Sequence, residues 1–127
     1  MILSFDDVRD LSTNDLTRIV EMNGGITITQ GMPWSVGYIV GGKFDGEKVF
    51  NGGHEGHIKI KALVEAFRRL SLGHDVGIWV EAHDVWVVDS VDRAPSKGAA
   101  VLLAASRGER AYWGIVEQDA FQTYTNA

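Results

Sequence analysis

Residues 76–91, VGIWVEAHDVWVVDSV, contain two runs rich in β-branched and aromatic residues on either side of His83-Asp84. Such runs are typical of β-strands, and a two-residue loop at His83-Asp84 would join them into an antiparallel hairpin. Because side chains alternate along a strand, this pairing puts one set of residues on a common face: Val76, Ile78, Val80, Ala82, Val85, Val87, Asp89 and Val91. The opposite face would carry Trp79, Glu81, Trp86 and Val88. The hairpin is therefore expected to be apolar on both faces.

Towards the C-terminus the pattern allows two interpretations. A second hairpin that turns at Arg107-Gly108 would again be apolar on both faces, with Val101, Leu102, Tyr112 and Trp113 among its residues. Alternatively, residues 97–107, KGAAVLLAASR, form an alanine-rich helix that is capped by Ser96 and ended by Gly108.

A sheet that is apolar on both faces needs cover on both sides. An antiparallel sheet in a small domain usually shows one face to water. One helix covers only part of such a sheet, so the remainder requires curvature, the helix at residues 97–107, or a second subunit. We therefore expect a homo-oligomer that self-associates through its sheet.

Two helices are predicted upstream of the hairpin. The principal one covers about residues 57–71, where Ile60, Leu63, Val64, Phe67 and Leu70 recur at the spacing of one helical face. Glu65 in this helix can pair with Arg68 or Arg69, and Gly73 follows as a stop signal. A shorter N-terminal helix is predicted between an N-cap at Ser12 or Thr13 and the glycines after Asn23.

Three further segments alternate with the two-residue period of strands. They are residues 25–30, residues 34–40 and residues 47–51, with turns predicted around Gly41-Gly42 and Asp45-Gly46. The sequence thus predicts an α+β fold of one domain, residues 1–127. Its mostly antiparallel and possibly strongly curved sheet would have about six or seven strands, packed against the principal helix and the short N-terminal helix.

Composition excludes several classes of protein. The 127 residues carry a net charge of −5, include no cysteine, and are 45% hydrophobic and 23% charged, as in an ordinary globular protein. Disulfides and thiolate metal sites are excluded, and direct nucleic-acid binding is unexpected for an acidic chain. The opening MILSFDDVRD is unlike a signal peptide, and no apolar run is long enough for a membrane span. We expect a cytoplasmic protein without membrane contact, and the size would suit a bacterial or phage accessory protein.

The loop at residues 51–61, NGGHEGHIKIK, is the most distinctive chemical feature. A glycine-rich turn that enters a helix can hold an anion on backbone N–H groups, and nearby cationic side chains would assist. The candidate ligand-binding residues are Gly52, Gly53, His54, His57, Lys59 and Lys61. The spacing matches neither the Walker loop nor the dinucleotide fingerprint, so the glycines could simply form a tight turn. His54 and His57 lack the spacing of a helical zinc pair, and we predict no metal and no cofactor.

Trp79 and Trp86 complete the candidate ligand-binding residues. In the predicted hairpin they are diagonal neighbours on one face, where they could stack on a ring or a partner's side chain. Tryptophans are equally common in cores.

Asp89 is the candidate for an unusual carboxyl group. Its predicted neighbours Ile78, Val87 and Val91 would raise its pKa by desolvation. An equally simple arrangement pairs it with Arg93 or with an arginine of the principal helix, or places it at a strand end in water. Whether Asp89 shares a site with His54 and His57 is left open by the sequence. No catalytic residues are assigned. The leading hypothesis is a non-catalytic binding module that engages a protein partner or small ligand, and the alternative is binding of a nucleotide or phosphorylated metabolite, by a sequestering protein or small enzyme, at residues 51–61.

Overall fold

The computed structural model describes residues 1–82 and 84–123, except for the side chain of Glu55. In chain order the elements are β1 Ile2–Ser4, α1 Phe5–Val8, α2 Thr13–Asn23, β2 Gly25–Thr29, β3 Tyr38–Phe50, α3 Glu55–Ser71, β4 Asp75–Ala82, β5 Val85–Ala94, α4 Lys97–Ser106, β6 Ala111–Gly114 and β7 Asp119–Gln122. The seven strands form one strongly curled sheet in the order β1-β2-β4-β5-β3-β6-β7. Only β1 and β2 pair in parallel. The predicted α+β fold with a mostly antiparallel, curved sheet is confirmed.

A one-residue irregularity in the central hairpin changes the predicted faces. Ala82 pairs with Val85, as a loop at His83-Asp84 requires, but the register then shifts so that Val80 pairs with Trp86 and Gly77 pairs with Asp89. His83 itself lies outside the described residues. A one-residue shift moves every later side chain to the other face of the sheet. The predicted face sets are therefore wrong from Trp86 onward.

The register shift separates the two tryptophans that were expected to be neighbours. By alternation, Trp86 shares a face with Ile78 and Val88, whereas Trp79 lies on the opposite face with Val87 and Asp89. Trp86 is only 1% exposed and belongs to the main core. The expected diagonal pair on one face is wrong.

All of the longer helices pack against one face of the sheet, which we call the helix face. The main core joins α2 and α3 to β2, β4 and β5, and a smaller core joins α4 to Val40, Ala94 and Tyr112. Trp86 and Val88 in the main core and Ala94 in the smaller one are separated by even numbers along β5. Strand alternation therefore puts both cores on the same face. The opposite face, which we call the open face, carries none of the longer helices in the described part of the chain.

The helix at residues 97–107 is the correct interpretation, and the second hairpin is wrong. Ser96 Oγ accepts a hydrogen bond from Ala99 N–H at 3.2 Å, and Gly108 follows the helix with φ 70°. Ala100 and Ala104 are buried against the sheet. These small side chains let α4 pack directly on the sheet. The alternation of apolar residues in the sequence does not reveal this packing.

In α3 the buried stripe also differs from the predicted one, because alanines again face the sheet. Ile60 and Val64 are exposed, while the buried apolar residues are Ile58, Ala62, Leu63, Ala66 and Leu70. The two alanines face the sheet, so a stripe chosen by the largest side chains is displaced around the helix. Upstream, α2 begins after Ser12 and ends at Gly24, as predicted.

The strand predictions for residues 34–51 are partly wrong. Residues 34–37 are not in a strand, and residues 38–50 form one strand, β3, instead of two strands separated by a turn. Where turns were predicted, β3 continues, but its register against β5 shifts between Val40 and Lys43 and again between Lys43 and Lys48. Between the pairs Lys43–Ser90 and Lys48–Val88, β3 advances by five residues and β5 by two. This mismatch opens the hydrogen-bonded ladder between the two strands.

Curvature and α4 bury most of the apolar surface within one chain. On the open face Val87, Val91 and Ile39 are buried, and on the helix face so are Val76, Val88 and Trp86. The strands therefore do not require a second subunit to cover them, although Trp113 is 44% exposed.

A charged network lies between α3 and the sheet. Arg69 is only 3% exposed, and it donates hydrogen bonds to Glu65 at 2.9 Å and to Ser90 Oγ at 3.0 Å. Glu65 also accepts two hydrogen bonds from Arg68, at 2.9 and 2.7 Å. The hydrogen bonds from Arg68, followed by the one from Arg69, lower the pKa of Glu65 to about 2 despite its burial. The predicted pairing within the helix is confirmed.

Glu65→Gln is expected to lower the free energy of unfolding at pH 7 by about 3 kcal/mol, because a buried arginine loses its counter-ion. Since the folded-state pKa lies below the ordinary 4.5, this stabilisation is complete above about pH 4.5 and is lost as the pH falls towards 2. Urea denaturation of both proteins at pH 7 and pH 3 measures the difference.

Asp6→Asn is the control, because Asp6 and Arg9 form an ion pair at 2.8 Å in which both side chains are largely exposed. Exposed pairs contribute little. An equal effect of the two substitutions at pH 7 would refute the role assigned to the Glu65–Arg69 pair.

Candidate functional site

The open face of the sheet forms a cleft of about 980 Å³. Its lining comes from all seven described strands and the segments beside them and includes Ile39, Gly41, Gly77, Trp79, Asp89 and Trp113. Small-molecule sites in proteins typically occupy about 300–1,000 Å³. The cleft is thus large enough for a small organic ligand, and most of its lining lies on the strands of the sheet.

Asp89 lies at the floor of this cleft and is 2% exposed. Its Oδ2 accepts a hydrogen bond from Gly42 N–H at 2.8 Å. Its Oδ1 has no hydrogen-bond partner among the described residues and lies 4.0 Å from Arg69 Nη1. Burial raises the pKa of Asp89 to about 6, opposed by the Gly42 hydrogen bond and reinforced by Glu109. Desolvation of Asp89 is confirmed, although its face and neighbours differ from those expected.

Two glycines of β3 let carboxylates approach the strand. A Cβ at Gly41 would lie within 2.3 Å of Asp89 Oδ2, and a Cβ at Gly42 would lie within 2.2 Å of Glu109 Oε1. Gly42 also has φ 75°, which favours glycine. In the opened ladder between β3 and β5, the Asp89 carboxylate takes the Gly42 N–H. The Gly41-Gly42 pair therefore positions two acidic side chains side by side.

The charged side chains that line the cleft are predominantly acidic. Glu47, Glu81, Asp89 and Glu109 contribute carboxylates, whereas Arg110 is the one basic residue in the described lining. Burial raises the pKa of Glu109, the nearby Glu47 raises it further, and Arg107 opposes them. Like charges gathered on low-dielectric walls favour positive ligands and repel anions. We call this feature the acidic cleft.

Among the residues that line the cleft, the sequence named only Trp79 as a candidate for ligand binding, and it singled out Asp89 for its pKa. Glu47 and Glu109 were missed because they are distant from Asp89 in the chain. The signal that could have found them is the Gly41-Gly42 pair within a strand, since glycine inside a strand marks a bulge or a close approach.

The loop at residues 51–61 lies elsewhere. Gly52 and Gly53 have positive φ and form the turn into α3, where His54 Nδ1 accepts a hydrogen bond from Gly56 N–H at 3.3 Å. The His54 and His57 rings are 5.2 Å apart, and neither lines the acidic cleft with Asp89. His54 thus occupies an N–H group that an anion would use. Anion binding here stays a prediction.

The cationic residues of that loop also have a structural setting. Lys59 Nζ lies 3.2 Å from Glu21 of α2, and Lys61 is exposed on α3. Neither lysine lines the acidic cleft. The loop and Trp79, which lines the acidic cleft, therefore lie in separate parts of the structure.

A serine–histidine contact that the sequence did not reveal lies under the sheet. His74 Nδ1 is 2.8 Å from Ser90 Oγ, and Phe44 stacks on the His74 ring with centroids 4.0 Å apart. Ser90 is completely buried and its Oγ accepts from Arg69. A substrate cannot reach this hydroxyl, so the contact has a structural role in the core.

Across residues 1–82 and 84–123, no group of three or more potential ligand side chains is arranged to hold a metal ion. In the same part of the chain, none of the helices combines the length and apolar character that crossing a membrane requires. No protein-family model matches the sequence, and no curated protein or solved structure shows significant similarity to it.

Asp89→Asn is expected to raise the free energy of unfolding at pH 8 by about 2 kcal/mol and to change it little at pH 4. The folded-state pKa of about 6 lies above the ordinary 3.8, so ionisation of Asp89 costs stability as the pH rises through this interval. An asparagine oxygen can still accept from Gly42 N–H. Chemical denaturation at the two pH values measures both effects.

Asp92→Asn is a matched control in the same strand. Burial opposes ionisation of Asp92, but hydrogen bonds from Arg107 and Lys43 prevail and lower its pKa. The control should therefore destabilise at pH 8, opposite in sign to Asp89→Asn. If Asp89→Asn destabilises at pH 8 as well, the Asp89 carboxylate is a structural partner of the sheet and not an uncompensated charge.

Proposed function

We propose that the protein is a non-catalytic binding module whose ligand site is the acidic cleft. The observation that carries the proposal is Asp89, a carboxylate 2% exposed with one oxygen lacking a hydrogen-bond partner, at the floor of a cleft of about 980 Å³. Buried polar groups are almost always satisfied within native structures. Oδ1 is itself shielded from solvent, so a ligand in the cleft would supply the missing interaction once the carboxyl group turns towards it.

The position of Asp89 on the central strands supports a preformed site. Asp89 pairs with Gly77 of β4, and its neighbours Val88 and Ser90 pair with β3 on either side of the opened ladder, so the surrounding backbone is held by both strands. Sites built on strands hold their side chains more precisely than sites on loops. Such a site binds without a large rearrangement, which favours recognition of a compact ligand.

Binding is favoured over catalysis by the side chains present. The one serine–histidine contact described above is sealed in the core, on the helix face, and does not line the acidic cleft. The titratable side chains that line the cleft are four carboxylates, Arg110 and Tyr112. These groups supply charge and hydrogen bonds, and the described lining contains no serine or cysteine nucleophile paired with a histidine base.

Filling the cleft tests the proposal. Thr27 pairs with Gly77, which pairs with Asp89, so these three residues form one row across the sheet. Thr27→Trp should fill the cleft beside Asp89 and abolish ligand binding. Leu102→Trp, which adds the same side chain to the exposed surface of α4, should leave binding intact.

The measurement is a ligand-observed NMR screen of amines, carboxylates, nucleotides and neutral aromatics, with amide shifts locating each hit. Hits that map to the acidic cleft and disappear in Thr27→Trp support the proposal. Nucleotide hits that map to residues 51–61 would establish the alternative function instead. A screen without any hit in the cleft would refute a small-ligand site there.

Self-association and a protein partner are part of this proposal, as is a cytoplasmic location. Support for self-association now comes from Trp113, which is 44% exposed on β6 beside the edge strand β7. Edge strands and exposed aromatic residues are common at contacts between subunits. The amount of apolar surface that needs a second subunit is nevertheless small.

Light scattering at micromolar concentration should give a mass above the 13.9 kDa of one chain, and Trp113→Ser should return the mass to that of a monomer. Val36→Ser, another exposed apolar residue that lies outside the strands, is the control and should leave the mass unchanged. A monomeric parent protein would end the self-association proposal without affecting the cleft.

A further inference from the structure

We infer that the ligand of the acidic cleft is a compact organic cation, a protonated amine or guanidinium on an aromatic or apolar body, whose positive group is held by Asp89 and Glu109. This inference rests on the proposed function and names the class of ligand that the site accepts.

The first argument is the unsatisfied oxygen of Asp89. Arg69 is the nearest cation at 4.0 Å, but it already forms hydrogen bonds to Glu65 and Ser90 at 2.9 and 3.0 Å. Its charge is therefore compensated on the helix face. Oδ1 is shielded from solvent, so a ligand N–H group would supply the hydrogen bond once the carboxyl group turns towards the cleft. A charged donor forms the stronger bond.

The second argument separates a cation from a neutral donor. Asp89 and Glu109 both approach the Gly41-Gly42 segment, and Glu47 raises the pKa of each of them. Three carboxylates that repel one another are all relieved by one positive charge, whereas a neutral hydroxyl or amide relieves none of them. Anionic ligands would add to the repulsion.

The third argument concerns the body of the ligand. The Trp79 ring approaches to 3.4 Å from the position that a Cβ would take at Gly77, so the indole leans over the residue paired with Asp89. Trp113 and Ile39 add apolar wall. An aromatic ring beside carboxylates is a favourable setting for an organic cation. Among the described residues the carboxylates are not arranged as a metal site, which favours an organic cation over a metal ion.

Cation binding should weaken in acid. The charged groups that face Asp89 are Arg69 from α3, Glu47 from β3 and Glu109 from the segment before β6. Burial raises the pKa of Asp89 to about 6, so its charge is present at pH 7.5 and mostly lost at pH 5. The affinity for a cation should fall between these values, while that for a neutral ring should not.

The test uses three matched probes with the full chain: phenethylamine, 2-phenylethanol and phenylacetate, titrated by NMR at pH 7.5. The amine should bind at least about tenfold more tightly than the alcohol, as expected for a charge-assisted hydrogen bond. Phenylacetate should not bind. Asp89→Asn should remove this preference for the amine, and lowering the pH to 5 should reduce it. Asp92→Asn, which lies in the same strand but does not line the cleft, should retain it.

A second variant separates charge from position. Gly41→Ala keeps the Asp89 carboxyl but places a methyl group within 2.3 Å of where Oδ2 now lies, so it should also weaken amine binding. The cation inference would be overturned if 2-phenylethanol or phenylacetate bound as tightly as phenethylamine. If that binding disappeared in Thr27→Trp, the cleft would still be a binding site. If no probe binds in the cleft and the wider screen also finds no hit there, both proposals fall.

Discussion

A single extra residue in the β4–β5 hairpin determines what each face of the sheet presents. With the register between Val80 and Ala82 shifted by one, Trp86 and Val88 meet α3 while Asp89 and Val91 turn to the open face. Without the shift, an indole would stand in the cleft and a carboxylate would lie under the helix. Because side chains alternate strictly, this local change is transmitted along the whole of β5. The core and the acidic cleft are thus two consequences of the same bulge.

The two faces treat their charges differently. Under α3, Arg69 is matched by Glu65 and also donates to Ser90, so the buried charge is compensated. On the other side, Asp89 receives one hydrogen bond from Gly42 and has acidic neighbours. The first arrangement stabilises the fold above the ordinary pKa of glutamate. The second costs stability once Asp89 ionises, as is common for groups at functional sites.

The break in the β3–β5 ladder provides the space for that carboxylate. Regular pairing would occupy Gly42 N–H with a carbonyl of β5, but the register shifts in β3 free it for Asp89. Glycines at positions 41 and 42 leave room for both Asp89 and Glu109. The curl of the sheet then surrounds the carboxylates with Trp79 and Trp113. A cleft therefore forms on a face that buries much of its apolar surface within one chain.

Sequence patterns alone determined the class of fold, the hairpin of β4 and β5, the helices at Ser12–Gly24 and about residues 57–71, and the pairing of Glu65 with the arginines. Each of these depends on residues close together in the chain, where capping, turn chemistry and periodicity act. The buried stripe of α3 was misjudged because Ala62 and Ala66, which face the sheet, carry little hydrophobic signal. Residues 97–107 were left between strand and helix because period-two alternation and the cap at Ser96 point to different structures.

Only the tertiary structure decided which residues share the acidic cleft. Glu47, Asp89 and Glu109 come from three separate segments, and a bulge that no local pattern predicts turns Asp89 towards the other two. The same packing sealed Trp86 in the core and left the loop at residues 51–61 outside the cleft. Local sequence sets the conformation of each element, but the register between elements is set by the sum of long-range contacts. For that reason the fold could be predicted from the chain and the site could not.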